Sequence, residues 1–130
     1  MKKLIFVAFV FAAFFSLTVV AYGQSAQRIS FKRGGTTAVV TGTLSGYKSK
    51  RVFVIKVRAG QTLTTKQTGG KPVSVWVKDP SGDDAGDMDM SCHDRREITP
   101  TVAGDYRLEV VECQKADRWK GTFKLRVTVR

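Results

Sequence analysis

From residue 98 the chain reads ITPTVAGDYRLEVVEC and carries its cleanest alternation of apolar and polar positions. Tyr106, Leu108 and Val110 fall on one face, with Arg107, Glu109 and Val111 on the other. That period of two is what a half-buried antiparallel strand requires. Pro100 cannot donate to a ladder and Gly104 suits a tight turn, so the strand is expected to begin at Asp105 or Tyr106 and to run through the middle of a sheet. Tyr106 reads as a core aromatic with its hydroxyl bonded to a nearby loop. Residues 121–130 alternate as plainly, with Phe123, Leu125, Val127 and Val129 inward and Lys124, Arg126 and Arg130 outward.

The rest of the chain follows the same rule. Residues 27–32 predict a first, edge strand with Ile29 and Phe31 on one face. Residues 36–44 place Ala38, Val40, Gly42 and Leu44 on one side and threonines with Val39 on the other, with a bulge expected at Gly42. Residues 51–58 turn Phe53, Ile55 and Val57 to the core, while Val52 and Val54 ask for partial cover on the reverse side. Leu63 is the single large apolar residue of a short strand at 62–66, and residues 68–72 read as a break. Val73, Val75 and Val77 then alternate with Ser74, Trp76 and Lys78, which leaves Trp76 either packed beneath a loop or displayed. Residues 79–87 are loop chemistry throughout, followed by short strands at 88–92 and 95–99. Alternating segments between Gly and Pro turns, with no helical period after Gln24, predict an all-β chain of about eight or nine short strands. An antiparallel β-sandwich is the first choice of fold and an OB-like barrel the second.

The first residues break this pattern. Lys2 and Lys3 precede an uncharged apolar run from Leu4 to Val20, and Ala21 and Gly23 put small residues where a signal peptidase reads. Residues 1–23 are expected to be a signal peptide cleaved before Gln24, leaving 24–130 as one domain. As a permanent membrane anchor the run is short for a span of about 20 residues and lacks a basic far flank. Export puts Cys92 and Cys113 in an oxidising compartment, where a disulfide fits them better than a redox pair or metal site without CxxC spacing. Such a bond would stabilise the fold by about 3 kcal/mol in the chain-entropy model.

Charge narrows the partners. Losing Lys2 and Lys3 takes the formal net charge from +11 to +9, so an anionic partner is expected. For an exported chain, nucleic acid ranks below an anionic cell-envelope glycan or a protein cleft holding carboxylates. Enzymatic candidates are poor. His93 is the single histidine and adjoins Cys92, so a nucleophilic triad would need the disulfide broken. Glu97, Glu109 and Glu112 offer carboxylates for glycoside cleavage, but nothing in the sequence marks them as buried. Asp83, Asp84, Asp87 and Asp89 crowd a loop with hard oxygens that suit Ca2+, without the spacing of an EF-hand, and a solvated acidic turn accounts for them without a metal. Residues 115–120 interleave Trp119 with Lys115, Arg118 and Lys120, a set suited to stacking on a sugar or filling a cleft; alternatively Trp119 caps the open end of the core.

Taken in order, a Gly46-Tyr47 loop, a strand, Ala59-Gly60-Gln61, an aspartate-rich loop and Ala103-Gly104-Asp105-Tyr106-Arg107-Leu108-Glu109-Val110 resemble the bacterial pre-peptidase C-terminal domain. That family is a jelly-roll-like β-sandwich attached to many secreted enzymes. The stand-alone form is similar to the periplasmic inhibitors of goose-type lysozyme, with the likeness running from about Ile29 to the C-terminus. The resemblance implies a non-enzymatic protein, without cofactor, whose early-loop tyrosine and late-loop basic residues enter a lysozyme cleft. By position these are Tyr47 and the segment 114–118, in which Arg118 matches the second basic position and Gln114 stands where the first would be. Tyr47, Lys115, Arg118 and Trp119 are therefore the expected partner-binding residues of a monomeric periplasmic or secreted protein. Its partner would be a lysozyme or, as the second reading, peptidoglycan or another anionic cell-envelope glycan.

Overall fold

The computed structural model describes residues 26–46, 48–86, 92, 95–113 and 119–130. The signal-peptide expectation for residues 1–23 and the strand expected at 88–91 lie outside them. Nine strands form among the described residues: β1 Gln27–Arg28, β2 Thr37–Ser45, β3 Lys50–Val57, β4 Leu63–Gly70, β5 Val73–Lys78, β6 Asp84–Ala85, β7 Arg95–Ile98, β8 Gly104–Glu112 and β9 Lys120–Val129. They divide into a five-stranded sheet ordered β1-β3-β8-β5-β6 and a four-stranded sheet ordered β2-β9-β4-β7. All pairings are antiparallel except β1 against β3. Two separate sheets make this the β-sandwich and not the barrel.

The inward faces are the ones the alternation predicts. Leu108 and Val110 on β8 meet Leu125 and Val127 on β9 across the sandwich, all without solvent exposure. Phe53 and Phe123 cross edge to face between the sheets with centroids 6.3 Å apart, the geometry favoured by the ring quadrupoles. Val52 is buried and Val54 half-buried on the reverse side of β3, as their apolar character asked.

Several expectations need correction. The first strand is an edge, but it pairs for two residues only and runs parallel to β3. β2 has no bulge at Gly42, whose register with Phe123 is continuous. A Cβ on Gly42 would lie 2.6 Å from the Phe123 ring, so the glycine makes room for the aromatic on the neighbouring strand. The bulge falls instead in β4, between Gln67 and Gly69, and lets that strand continue through the glycines read as a break. The loop at 79–87 contains β6, which pairs Val77 with Ala85 and Lys78 with Asp84.

Trp76 is half-buried on the outer side of β5, with the Arg96 guanidinium 5.8 Å from its ring centroid. Arg96 is itself buried on β7 and donates to the Val75 carbonyl at 3.2 Å, so it bridges the edges of the two sheets. No helix among the described residues is long and apolar enough to cross a membrane.

Candidate functional site

One end of the sandwich gathers the β2–β3 turn, the β4–β5 turn, the end of β8 and the approach to β9. Its organising residue is Glu112. On β8 the inward positions are Tyr106, Leu108 and Val110, and Glu112 is next in phase, so strand geometry carries its carboxyl into the sandwich with no solvent exposure. Oε1 accepts the Trp119 backbone N–H at 2.7 Å. Oε2 has no hydrogen-bond partner among the described residues and lies 3.9 Å from where a Cβ on Gly46 would be. Gly46 has φ of 86°, the left-handed region a glycine enters without a side-chain penalty. A buried carboxyl depends on the surrounding structure for its bonds.

Trp119 supplies much of that structure. Its carbonyl accepts the Gly46 N–H at 3.2 Å, its indole N–H donates to the Pro72 carbonyl at 3.1 Å, and its ring packs half-buried against the core. The Pro72 carbonyl also accepts the Cys113 N–H at 3.2 Å. Gln67 closes the β4–β5 turn: its amide nitrogen donates to the Gly69 and Lys71 carbonyls while its oxygen accepts the Val73 N–H at 3.2 Å. Cys92 and Cys113 are joined as a disulfide with Cα atoms 5.2 Å apart, tying the segment before β7 to the end of β8.

Of the predicted partner-binding residues, Trp119 is described and Tyr47, Lys115 and Arg118 lie outside the described residues. The roots of both loops are nevertheless neighbours. Gly46, which precedes Tyr47, is hydrogen-bonded to Trp119, which follows residues 114–118, so the two loops issue from adjacent points at this end. Glu112 is the residue the sequence reading missed. It continues the period of Tyr106, Leu108 and Val110, but its polar type argued for the surface.

The three glutamates offered for hydrolysis do not converge. Glu97 faces outward on β7 and pairs with Arg95 at 2.6 Å; Glu109 faces outward on β8, 3.3 Å from Arg107 and 4.0 Å from Lys50; only Glu112 is inside. His93 lies outside the described residues, and its neighbour Cys92 is in the disulfide and holds no free thiol.

Of the aspartates considered for Ca2+, Asp87 and Asp89 lie outside the described residues and Asp84 pairs with Lys78 at 3.3 Å. In the same loop Asp79 accepts the Ser81 hydroxyl at 2.6 Å and the N–H groups of Ser81 and Asp83 at 2.9 and 3.1 Å. Those bonds, the Ser81 hydroxyl foremost, hold the Asp79 carboxyl below its ordinary range. The turn thus satisfies itself, and no group of three metal-ligating side chains occurs among the described residues.

No family model matches the sequence, and no curated protein matches it. Solved structures do match. The Aeromonas hydrophila periplasmic inhibitor of g-type lysozyme, PliG, is 21% identical with a TM-score of 0.64, covering 82% of this chain and 96% of that one. PliG of Salmonella Typhimurium is 14% identical with a TM-score of 0.63, covering 82% and 100%. The pre-peptidase C-terminal domain of a Bacillus anthracis collagenase is 18% identical with a TM-score of 0.52, covering 83% and 97%. At these identities what is shared is the fold.

Proposed function

We propose that the chain is an exported, non-enzymatic inhibitor that closes the substrate cleft of a goose-type lysozyme with the loops rooted at Gly46 and Trp119. The observation that carries the reading is a fold held in common with two lysozyme inhibitors over 96% and 100% of their lengths. Export follows from the apolar run after Lys2 and Lys3, and the protein acts as a monomer in the periplasm or medium. In the bound state Arg118 pairs with an acidic residue of the cleft through two parallel hydrogen bonds, while Tyr47 and Lys115 pack at its sides. Trp119 acts mainly from behind, as the brace that fixes where the loop begins. Lysozymes are often basic, and a partner of +9 is then repelled at long range, so the attraction is local and desolvated.

The test is inhibition of cell-wall lysis, read as turbidity, against goose, chicken and invertebrate-type lysozymes. Inhibition of the goose type, abolished by Arg118→Ala with Tyr47→Ala at unchanged melting temperature, is the expected result. No inhibition of any type, with the protein retained on insoluble peptidoglycan, would replace the reading by glycan binding.

A further inference from the structure

The outward face of the β2-β9-β4-β7 sheet carries a pattern the inhibitor reading does not use. Register places Thr37, Thr128, Thr64 and Glu97 side by side across the four strands, and Val39, Arg126, Lys66 and Arg95 side by side in the next row. Lys124 beside Thr41 continues the face beyond, and Thr122 beside Thr43 follows. Directly opposed residues on neighbouring strands hold their Cβ atoms about 4.5–5.5 Å apart, and like charges at that spacing destabilise a sheet. Arg126, Lys66 and Arg95 are three cations in one such row. Among the described residues only Arg95 has an acidic partner, Glu97 at 2.6 Å; Lys66, Lys124 and Arg126 enter no ion pair.

The other sheet is built differently. On its outward face Arg28 pairs with Asp105, Lys50 and Arg107 with Glu109, and Lys78 with Asp84. The cations in register on the four-stranded sheet, Lys66, Lys124 and Arg126, thus have no acidic neighbour among the described residues of the kind that balances Arg28, Lys50, Lys78 and Arg107 on the other. At the end of the four-stranded face is a depression of about 410 Å3 lined by Thr62, Thr64, Thr128, Arg95, Arg130 and Glu97. Arg95 is paired there with Glu97, the Thr62 and Thr128 hydroxyls bond Thr99 and Thr37, and Arg130 and Thr64 complete the lining.

We infer that this face binds an extended, carboxylate-bearing polysaccharide, lying across the rows of Lys66, Arg126 and Lys124. Guanidinium groups take carboxylates through paired hydrogen bonds, and the threonine hydroxyls beside them match sugar hydroxyls. Cations in successive rows along β9, Arg126 and then Lys124, suit a chain more than a compact anion. A lipid surface fits less well: among the described residues Val39, 52% exposed, is the one large exposed apolar side chain on this face, and none of them puts an aromatic there to enter a headgroup layer.

The test uses polygalacturonate as probe, with dextran as the uncharged control and phosphatidylglycerol vesicles as the lipid control, by titration calorimetry at low and physiological salt. Lys66→Glu with Arg126→Glu is compared with the charge-matched pair Lys32→Glu with Lys56→Glu, whose residues lie off this face. The wild type is expected to bind polygalacturonate in a salt-sensitive manner and to ignore dextran. The first pair should weaken binding by about tenfold or more and the second by about twofold or less. Lys66→Gln with Arg126→Gln guards against misfolding and should also weaken binding, with the melting temperature kept. Equal losses from both charge-matched pairs, absence of binding, or stronger binding to the vesicles would each overturn the inference. Inhibition of lysozyme should survive the Lys66 and Arg126 changes, and polygalacturonate binding should survive Arg118→Ala, so the two sites fail separately.

Discussion

The two ends of the sandwich are closed by opposite means. At the end made by the β3–β4 and β7–β8 connections, Thr101 is buried, and its hydroxyl donates to the Arg58 carbonyl at 2.7 Å while accepting the Gln61 N–H at 3.0 Å. The Thr101 N–H donates to the Gln61 carbonyl, the Thr101 carbonyl accepts from Gly60, the Gln61 side chain accepts the Arg58 N–H, and the Tyr106 hydroxyl accepts the Val102 N–H. At the other end, a buried carboxyl oxygen of Glu112 has no partner among the described residues, and a disulfide with a braced tryptophan holds the closure. At the first end the buried Thr101 has its hydroxyl, N–H and carbonyl all bonded. The second buries a carboxyl that the described residues bond on one oxygen only, at the point where the two candidate loops emerge.

Removing the covalent link should have the largest effect. Cys92→Ser with Cys113→Ser is expected to lower stability by about 3 kcal/mol in urea melts. Amide exchange should rise first at Gly46 and Trp119, while Gly60 and Thr101 stay protected; equal loss of protection at both ends would abolish the distinction. Next comes a pair of near-isosteric changes. Thr101→Val strips partners from a fully bonded network and should cost about 1–3 kcal/mol. Glu112→Gln leaves an acceptor for Trp119 and replaces the oxygen that no described residue bonds with a donor, so it should change stability by less than about 1 kcal/mol. A larger cost for Glu112→Gln than for Thr101→Val would reverse the assignment of the two ends.

The smallest effect is at acid pH. Arg28 donates to both oxygens of Asp105 at 3.0 and 2.8 Å, which lowers the Asp105 pKa from its ordinary 3.8, as Ser81 does for Asp79. Both carboxyls titrate lower folded than unfolded, so their contribution is complete above about pH 5 and fades as pH falls through the folded values. Asp105→Asn should flatten that limb of the stability curve slightly and leave neutral pH nearly unchanged. A flattening on the alkaline side instead would contradict the Arg28 pairing.

Much of the fold was legible because period-two alternation is a local signal. β3, β5, β8 and β9 were read with their faces correctly assigned, and Tyr106 with its hydroxyl bonded to a loop. The misses are non-local. Gly42 read as a weak point of β2 because a sequence does not reveal that Phe123 on the neighbouring strand fills its space. The glycines after Gln67 read as a break because the bulge that absorbs them, and the Gln67 amide that rivets the following turn, depend on pairing with β9. The parallel docking of β1 has no local pattern at all. At the site, the cysteines were read as a pair from export and spacing, and the structure joins them. Glu112 was passed over because residue type outweighed phase.

The position of β9 sets the order in which the molecule can assemble. It pairs with β2 on one side and β4 on the other, yet it follows both in sequence by 50 residues or more. Synthesised from its N-terminus, the polypeptide can hold β2 and the β4–β7 pair only as separate pieces until residues 120–129 arrive. Most successive strands also lie in opposite sheets, so hairpins give little early purchase and folding is governed by distant encounters, in the slow millisecond-to-second regime of about the range seen for all-β sandwiches. A nascent chain of this design stays open while it is being made or threaded through a pore, and closes when residues 120–129 slot between β2 and β4.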